Sequence, residues 1–208
     1  MAEPLPPLDV TVFSDYICPF CYVGDRRLAR LAEQFDLNVS WRPVEIHPTT
    51  PAEGMPVEAL GYPKDVWEQM MSHLNDMAAE EGIRLAERRF TTNSHKALLL
   101  VERAKEMGGE VFERLHGALF FTFFSEGRNI GDETILKELA LNAGMGDEDV
   151  IQAFEDDRYE ERLRENYVAA RRHHVTGVPT FVIGGQAIPG AVPVSHLIQA
   201  AETAAQEA

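Results

Sequence analysis

The stretch Ser14-Asp15-Tyr16-Ile17-Cys18-Pro19-Phe20-Cys21-Tyr22-Val23-Gly24 decides how the chain is read. Upstream of it, residues 8–13 (Leu-Asp-Val-Thr-Val-Phe) are rich in β-branched side chains and roughly alternating, which predicts a strand. Downstream, Leu28, Leu31, Ala32 and Phe35 fall at helical spacing and predict a helix over 22–35. The Cys-Pro-Phe-Cys segment therefore follows a strand and opens a helix. Residues 37–44 alternate again and predict a second strand. Strand, helix and strand in close succession make a βαβ unit, whose strands should run parallel.

That placement has chemical consequences. Positions i and i+3 share a helix face, so the two sulfurs can come within bonding reach. Cys18 lies where the first backbone N–H groups of a helix lack partners, at the positive end of its dipole. Such a position favours a thiolate, the nucleophile of thiol–disulfide exchange. The placement gives Cys18 the attacking role and Cys21, one turn deeper, the resolving role. Pro19 fits the first helical turn, where its missing N–H costs little. Two other readings stay open: buried thiols that only fill space, and part of a zinc site. Structural zinc takes four ligands, and the seven histidines include no pair at the spacing of zinc-finger ligands. A Cys-x-x-Cys beside a βαβ pattern reads as redox-active, and no metal site is expected. With only these two cysteines, a stapling disulfide framework is excluded, because so short a loop constrains almost nothing.

Composition narrows the classes further. The chain has 208 residues, 45% of them apolar, enough for one large domain or one domain with an insertion. There are 19 Lys+Arg against 34 Asp+Glu, a net charge of −15. Binding a phosphate backbone depends on clustered basic residues, so a nucleic-acid partner is not expected. Nor is a membrane span, which takes about 20 consecutive apolar residues. The longest apolar runs are 97–101 and 118–124, and Thr122 interrupts the second. The start Met-Ala-Glu-Pro-Leu-Pro-Pro lacks the basic-then-apolar pattern of a signal peptide, and a cytoplasmic chain is expected.

Residues 1–7 carry three prolines and read as a loose arm, and residues 48–63 as a loop. Helical spacing then recurs over 65–81, 94–107, 111–124, 132–142 and 147–156, with Ser94 and Asp132 as candidate caps. No clear strand interrupts them, which suggests a helical insertion. A further charged helix is expected over 157–174. Residues 178–183 and 186–188 flank Gly184-Gly185 and predict a hairpin, and 194–204 a final amphipathic helix.

The segment Thr176-Gly177-Val178-Pro179-Thr180-Phe181 supplies a second signal. A proline at a strand start is ordinary by itself. Joined to the cysteine pair, it resembles the thioredoxin superfamily, in which a cis-proline loop ahead of a hairpin packs against the Cys-x-x-Cys. The resemblance implies that Pro179 is cis and that the backbone of Val178 is free to pair with an extended substrate peptide, a form of strand addition. The stretch from Ser14 to Gly24, with Trp41-Arg42-Pro43, Asn93-Ser94-His95-Lys96-Ala97 and Gly190-Ala191, is similar to DsbA-like oxidoreductases of the FrnE type. This implies an α/β, thioredoxin-like fold with an all-helical insertion domain: residues 1–58 and 157–208 form the thioredoxin-like part, and 59–156 the insertion. Pro19 and Phe20 would support the cysteines. Periplasmic DsbA proteins carry His where this chain has Phe20, and a phenyl ring cannot stabilise a neighbouring thiolate. The couple should then be less oxidising than that of DsbA, at about −120 mV.

The implied activity is thiol–disulfide exchange on protein or peptide substrates, with no bound organic cofactor because the Cys18–Cys21 disulfide holds the electrons. Glutathione is possible as a co-substrate, and a thioredoxin or glutathione system as redox partner. A second reading is a glutathione-dependent isomerase or transferase of the 2-hydroxychromene-2-carboxylate isomerase or kappa-class type. Those proteins usually have Ser in place of the first cysteine. A third is a chaperone-like module using the insertion as an apolar groove. Among weaker signals, His173-His174 suits a helix C-terminus. His95 could line the cleft or be packed or solvated, Phe120, Phe121, Phe123 and Phe124 suit the insertion's core, and Asp147-Glu148-Asp149 suits a helix start. Substrate, electron-flow direction and oligomeric state are not legible.

Overall fold

The structure, a computed structural model, describes residues 4–87 and 89–207. Its elements in chain order are β1 (Pro7–Ser14), α1 (Pro19–Ala29), β2 (Asp36–Pro43), β3 (Met55–Pro56), α2 (Lys64–Glu80), β4 (Phe90–Thr91), α3 (His95–Met107), α4 (Gly109–Phe120), α5 (Glu133–Ala143), α6 (Asp147–Glu155), α7 (Asp157–Arg172), β5 (Thr180–Ile183), β6 (Gln186–Pro189) and α8 (Val194–Glu207).

Four strands form one mixed sheet in the order β2-β1-β5-β6. β1 and β2 are parallel, as the βαβ pattern requires, with Val10 opposite Val39 and Phe13 opposite Arg42. β5 runs antiparallel to β1 and pairs Val12 with Phe181. Because side chains alternate along a strand, β1 feeds two cores. Leu8, Val10 and Val12 pack with Leu28, Leu31, Phe181, Ile183 and Leu197 on one face. Phe13 packs with Val44, Ala170 and Val182 on the other. The β5–β6 turn is Gly184-Gly185, both at positive φ (55° and 78°), the backbone a tight two-residue hairpin demands.

Helices α4, α5, α6 and α7 pack against α3. Residues 97–101 of α3 (Ala-Leu-Leu-Leu-Val) are buried all round, as befits a helix enclosed by neighbours. Their cluster continues without a break into Tyr16, Cys18, Cys21 and Val23, so α1 shares its apolar surroundings with the insertion. Among the described residues, no helix is long and apolar enough to cross a membrane.

Several expectations are corrected. The first helix starts at Pro19, three residues before its apolar periodicity becomes visible, and gives way at Arg30–Glu33 to a tighter 3₁₀ turn. Of the arm expected over 1–7, residues 1–3 lie outside the described residues, and Pro7 already pairs in β1. The helical region contains a two-residue ladder, β3 with β4, too short for any periodicity to register. Asn93 caps α3, its Oδ1 accepting from His95 N at 2.9 Å, while Ser94 makes no side-chain cap. Asp132 does cap α5. The last turn of the helix ending at Phe124 widens to a π-type turn over Phe121–Ser125, which turns Phe121 to solvent while Phe120, Phe123 and Phe124 stay buried. The strand expected from 178 begins at Thr180, after the proline loop.

Candidate active site

Cys18 occupies the N-cap position of α1, with extended backbone (φ −91°, ψ 113°), and Pro19 is the first helical residue. No acidic side chain lies in the first turn, so no carboxylate competes for its free N–H groups. Cys21 N donates to Cys18 O at 3.0 Å, closing the turn that stacks the two side chains. Both cysteines are thiols and both are buried, Cys18 at 6% exposure and Cys21 at 1%. Burial pushes the Cys21 thiol up, and the adjacent Cys18 sulfur adds to the shift.

The proline loop comes to this turn from the far end of the chain. Cys18 Sγ donates to Val178 O at 3.5 Å. The Val178–Pro179 peptide is cis. The loop is held by Thr180 Oγ1 donating to Gly177 O at 2.7 Å and by Gly190 N donating to Pro179 O at 2.7 Å. Gly24 of α1 lets it approach: a Cβ there would lie 3.1 Å from both Pro179 Cγ and Phe181 Cζ. The structure thus brings Cys18, Cys21, Val178 and Pro179 together. Pro19 and Phe20 face a chamber of about 640 Å³ that opens beside Cys18, walled by Trp67, Met70 and Leu74 of α2 and by Val178 of the loop.

Two buried polar groups at this site escaped the sequence reading. Asp15 is fully buried; its carbonyl accepts from Cys18 N at 3.1 Å, and its carboxylate accepts from Ile17 N at 3.3 Å and Ile46 N at 2.8 Å. Burial raises its carboxyl to about 6, against the opposing pull of those N–H bonds. The second is His116 of α4, which bridges Tyr16 Oη (2.7 Å) and Asp25 (3.0 Å) and lies 4.3 Å, ring to ring, from Trp41. Phe112, His116 and Phe120 recur at four-residue spacing, and a histidine on such an apolar stripe was the available signal. His95 does not line the chamber. It bridges Glu45 (3.1 Å) and Glu160 (2.7 Å), whose carboxylates raise its imidazole to about 9.

Comparison with known proteins agrees with this architecture. Residues 9–202 match the family described as DSBA-like thioredoxin domain. The uncharacterized protein YwbO of Bacillus subtilis (strain 168) is 32% identical over 189 residues, covering 88% of this chain and 90% of YwbO. The structure of the probable DsbA oxidoreductase SCO1869 from Streptomyces coelicolor superposes with a TM-score of 0.85 at 29% identity, covering 97% of this chain and 91% of that one. A 2-hydroxychromene-2-carboxylate isomerase superposes at 0.77 with 20% identity, covering 96% and 97%, a likeness of fold alone. The chain belongs to the DSBA-like thioredoxin domain family.

Proposed function

We propose that the chain is a thiol–disulfide oxidoreductase acting on protein and peptide substrates through Cys18 and Cys21. The observation that carries this reading is the Cys18 sulfur at the opening of α1, 3.5 Å from Val178 O and facing an apolar chamber. In the reductive direction the Cys18 thiolate attacks a substrate sulfur, the substrate disulfide breaks, and one thiolate leaves. Cys21 then attacks the Cys18 sulfur and releases the second thiolate, so two electrons pass from enzyme to substrate. In the oxidative direction the same steps run backwards. The high proton affinity of the Cys21 thiol makes its deprotonation part of the resolving step. Val178 offers its backbone to an extended substrate segment and Pro179 shapes that edge, with Pro19 and Phe20 supporting the cysteines.

In this reading the thioredoxin-like parts, 1–58 and 157–208, carry the sulfurs and the proline loop, and 59–156 contributes the α2 wall of the chamber. The cysteine pair is the only redox group the chemistry needs; glutathione can act as co-substrate, and a thioredoxin or glutathione system can reset the pair. The proposal includes a cytoplasmic setting and no nucleic-acid or membrane partner.

The test is the reduction potential of the Cys18–Cys21 couple, measured alongside insulin reduction and refolding of a scrambled protein. We expect a potential more reducing than about −120 mV. Cys18→Ser should abolish both activities, and Cys21→Ser should stop turnover and trap a mixed disulfide. Undiminished turnover in Cys18→Ser would refute the proposal. Glutathione-dependent isomerisation that survives Cys21→Ser would favour the isomerase class instead.

A further inference from the structure

The chamber beside Cys18 has a charge pattern that cysteine chemistry alone does not require. The chain carries 34 acidic against 19 basic side chains, yet among the described residues no Asp or Glu lines the chamber. A second depression of about 340 Å³ shares Val175 and Thr176 with it and, among the described residues, likewise has no carboxylate in its wall. Arg171 and Arg172 end α7 just before the proline loop; Arg171 lines the chamber and Arg172 the depression. Among the described residues neither has a carboxylate partner; Arg26, Arg42 and Arg84 have none either, but of these five only Arg171 lines the chamber. His47 also lines the chamber, but burial lowers its proton affinity, so the fixed positive charge there is the Arg171 guanidinium. Arg171 and Arg172 thus place two exposed guanidinium groups, without carboxylate partners, beside an apolar-walled cleft. Low-dielectric walls strengthen the attraction of such a charge for an incoming anion.

The interior is matched to a compact apolar group. Trp67, Met71, Leu74, Leu85 and Phe124 present aromatic and flexible thioether surfaces, and methionines adapt to irregular shapes. At about 640 Å³ the chamber falls within the range of small-molecule sites, roughly 300–1,000 Å³.

We propose that this site also opens the disulfide of a small amphipathic molecule, an aromatic or similarly bulky apolar body bearing a carboxylate. The body occupies the chamber and the carboxylate rests on Arg171. This rests on the thiol–disulfide reading above and adds a second substrate class to its protein and peptide disulfides. The Cys18 thiolate attacks R–S–S–R; a Cys18–S–S–R bond forms and one RS⁻ leaves. Cys21 attacks the Cys18 sulfur, the Cys18–Cys21 disulfide forms, and the second RS⁻ leaves. The enzyme dithiol loses two electrons and two protons, and the substrate gains them as two RSH.

Single-turnover kinetics of the reduced protein test this with three probes: 5,5′-dithiobis(2-nitrobenzoate), aromatic and anionic; 4,4′-dithiodipyridine, aromatic and neutral; and glutathione disulfide, anionic but polar. Dividing each rate by that of 2-mercaptoethanol with the same probe removes intrinsic reactivity. The normalised rate for the aromatic anion should exceed the other two by about tenfold and shrink with added salt. Arg171→Gln, at an exposed position, should remove most of that preference. Arg164→Gln, the same charge change elsewhere on α7, should retain it. Equal normalised rates, faster glutathione disulfide, or a preference untouched by Arg171→Gln overturns the proposal while Cys18-dependent exchange stands. If Cys18→Ser reacts as fast as the unaltered protein, the thiol–disulfide reading itself falls.

Discussion

Asp15 is the residue whose physical state depends most on its surroundings. Its carboxyl is fully buried and holds its proton up to about pH 6, because burial penalises the charged form more than the Ile17 and Ile46 N–H bonds favour it. The folded value lies above the unfolded one, so the folded state binds more protons between about pH 4 and pH 6. Stability contributed by this group is therefore present below that window and lost as pH rises through it. The stability of the unaltered protein relative to Asp15→Asn should fall by about 2 kcal/mol between pH 4 and pH 7, at about 1.4 kcal/mol per pKa unit. Urea unfolding at a series of pH values measures this, and a pH-independent difference would contradict the assignment. The same residue receives Cys18 N on its carbonyl, so it also holds the turn that carries the Cys18 sulfur.

At the scale of elements, α1 is fixed at its middle and near its end. At its middle, Gly24 lets Pro179 and Phe181 approach so closely that a Cβ there would lie 3.1 Å from each. Near its end, Arg27 is buried and binds Glu80 (2.7 Å), Glu81 (3.0 Å) and Ala191 O (2.6 Å), joining α1 to the end of α2 and to the loop after β6. A larger side chain at Gly24 must push the proline loop away from the cysteines. Gly24→Val should cost about 1–3 kcal/mol through overpacking and slow exchange at Cys18 in the same variant. A urea midpoint and an exchange rate both equal to those of the unaltered protein would show that the loop can retreat freely. Arg27→Ala leaves the Glu81 carboxylate, 6% exposed, with only the exposed Arg30 guanidinium at 3.6 Å. Removing one partner of a buried pair typically costs about 3–5 kcal/mol, and a similar fall in unfolding free energy is expected.

Across the whole molecule, two histidines of the inserted helices tie them to the rest of the chain. His116 on α4 reaches Tyr16 and Asp25, and His95 on α3 reaches Glu45 after β2 and Glu160 on α7. The Glu45 and Glu160 carboxylates hold the His95 proton up to about pH 9, above its ordinary value near 6.5. A raised folded value means that this contribution is complete below about pH 6.5 and lost as pH climbs through 9. The advantage of the unaltered protein over His95→Gln should accordingly shrink between pH 6 and pH 10. His95 is part-exposed, so solvent screening keeps the effect modest. A constant difference across that range would remove His95 from the set of pH-sensitive links.

Much of the architecture was legible in one dimension, because periodicity reports which side of an element is buried. The alternation over residues 8–13 and 37–44 and the spacing of Leu28, Leu31 and Phe35 marked the βαβ unit. The Gly-Gly turn marked the closing hairpin, and the cysteine pair and Val178-Pro179 stood out as motifs. Elements without a repeat were not legible: the two-residue strands β3 and β4, the Asn93 cap, and the widened turn that exposes Phe121. The sequence by itself determined the order of the longer strands and helices and the two motifs, since both follow from residue type and local spacing. Only the tertiary structure decided the setting of those motifs. It set Cys18 against a carbonyl 160 positions away and buried the Asp15 carboxyl. It also joined α2 to the proline loop as walls of one chamber and left Arg171 unpaired at its edge. Burial, field and proton affinity are sums over neighbours in space, and a linear pattern does not name those neighbours.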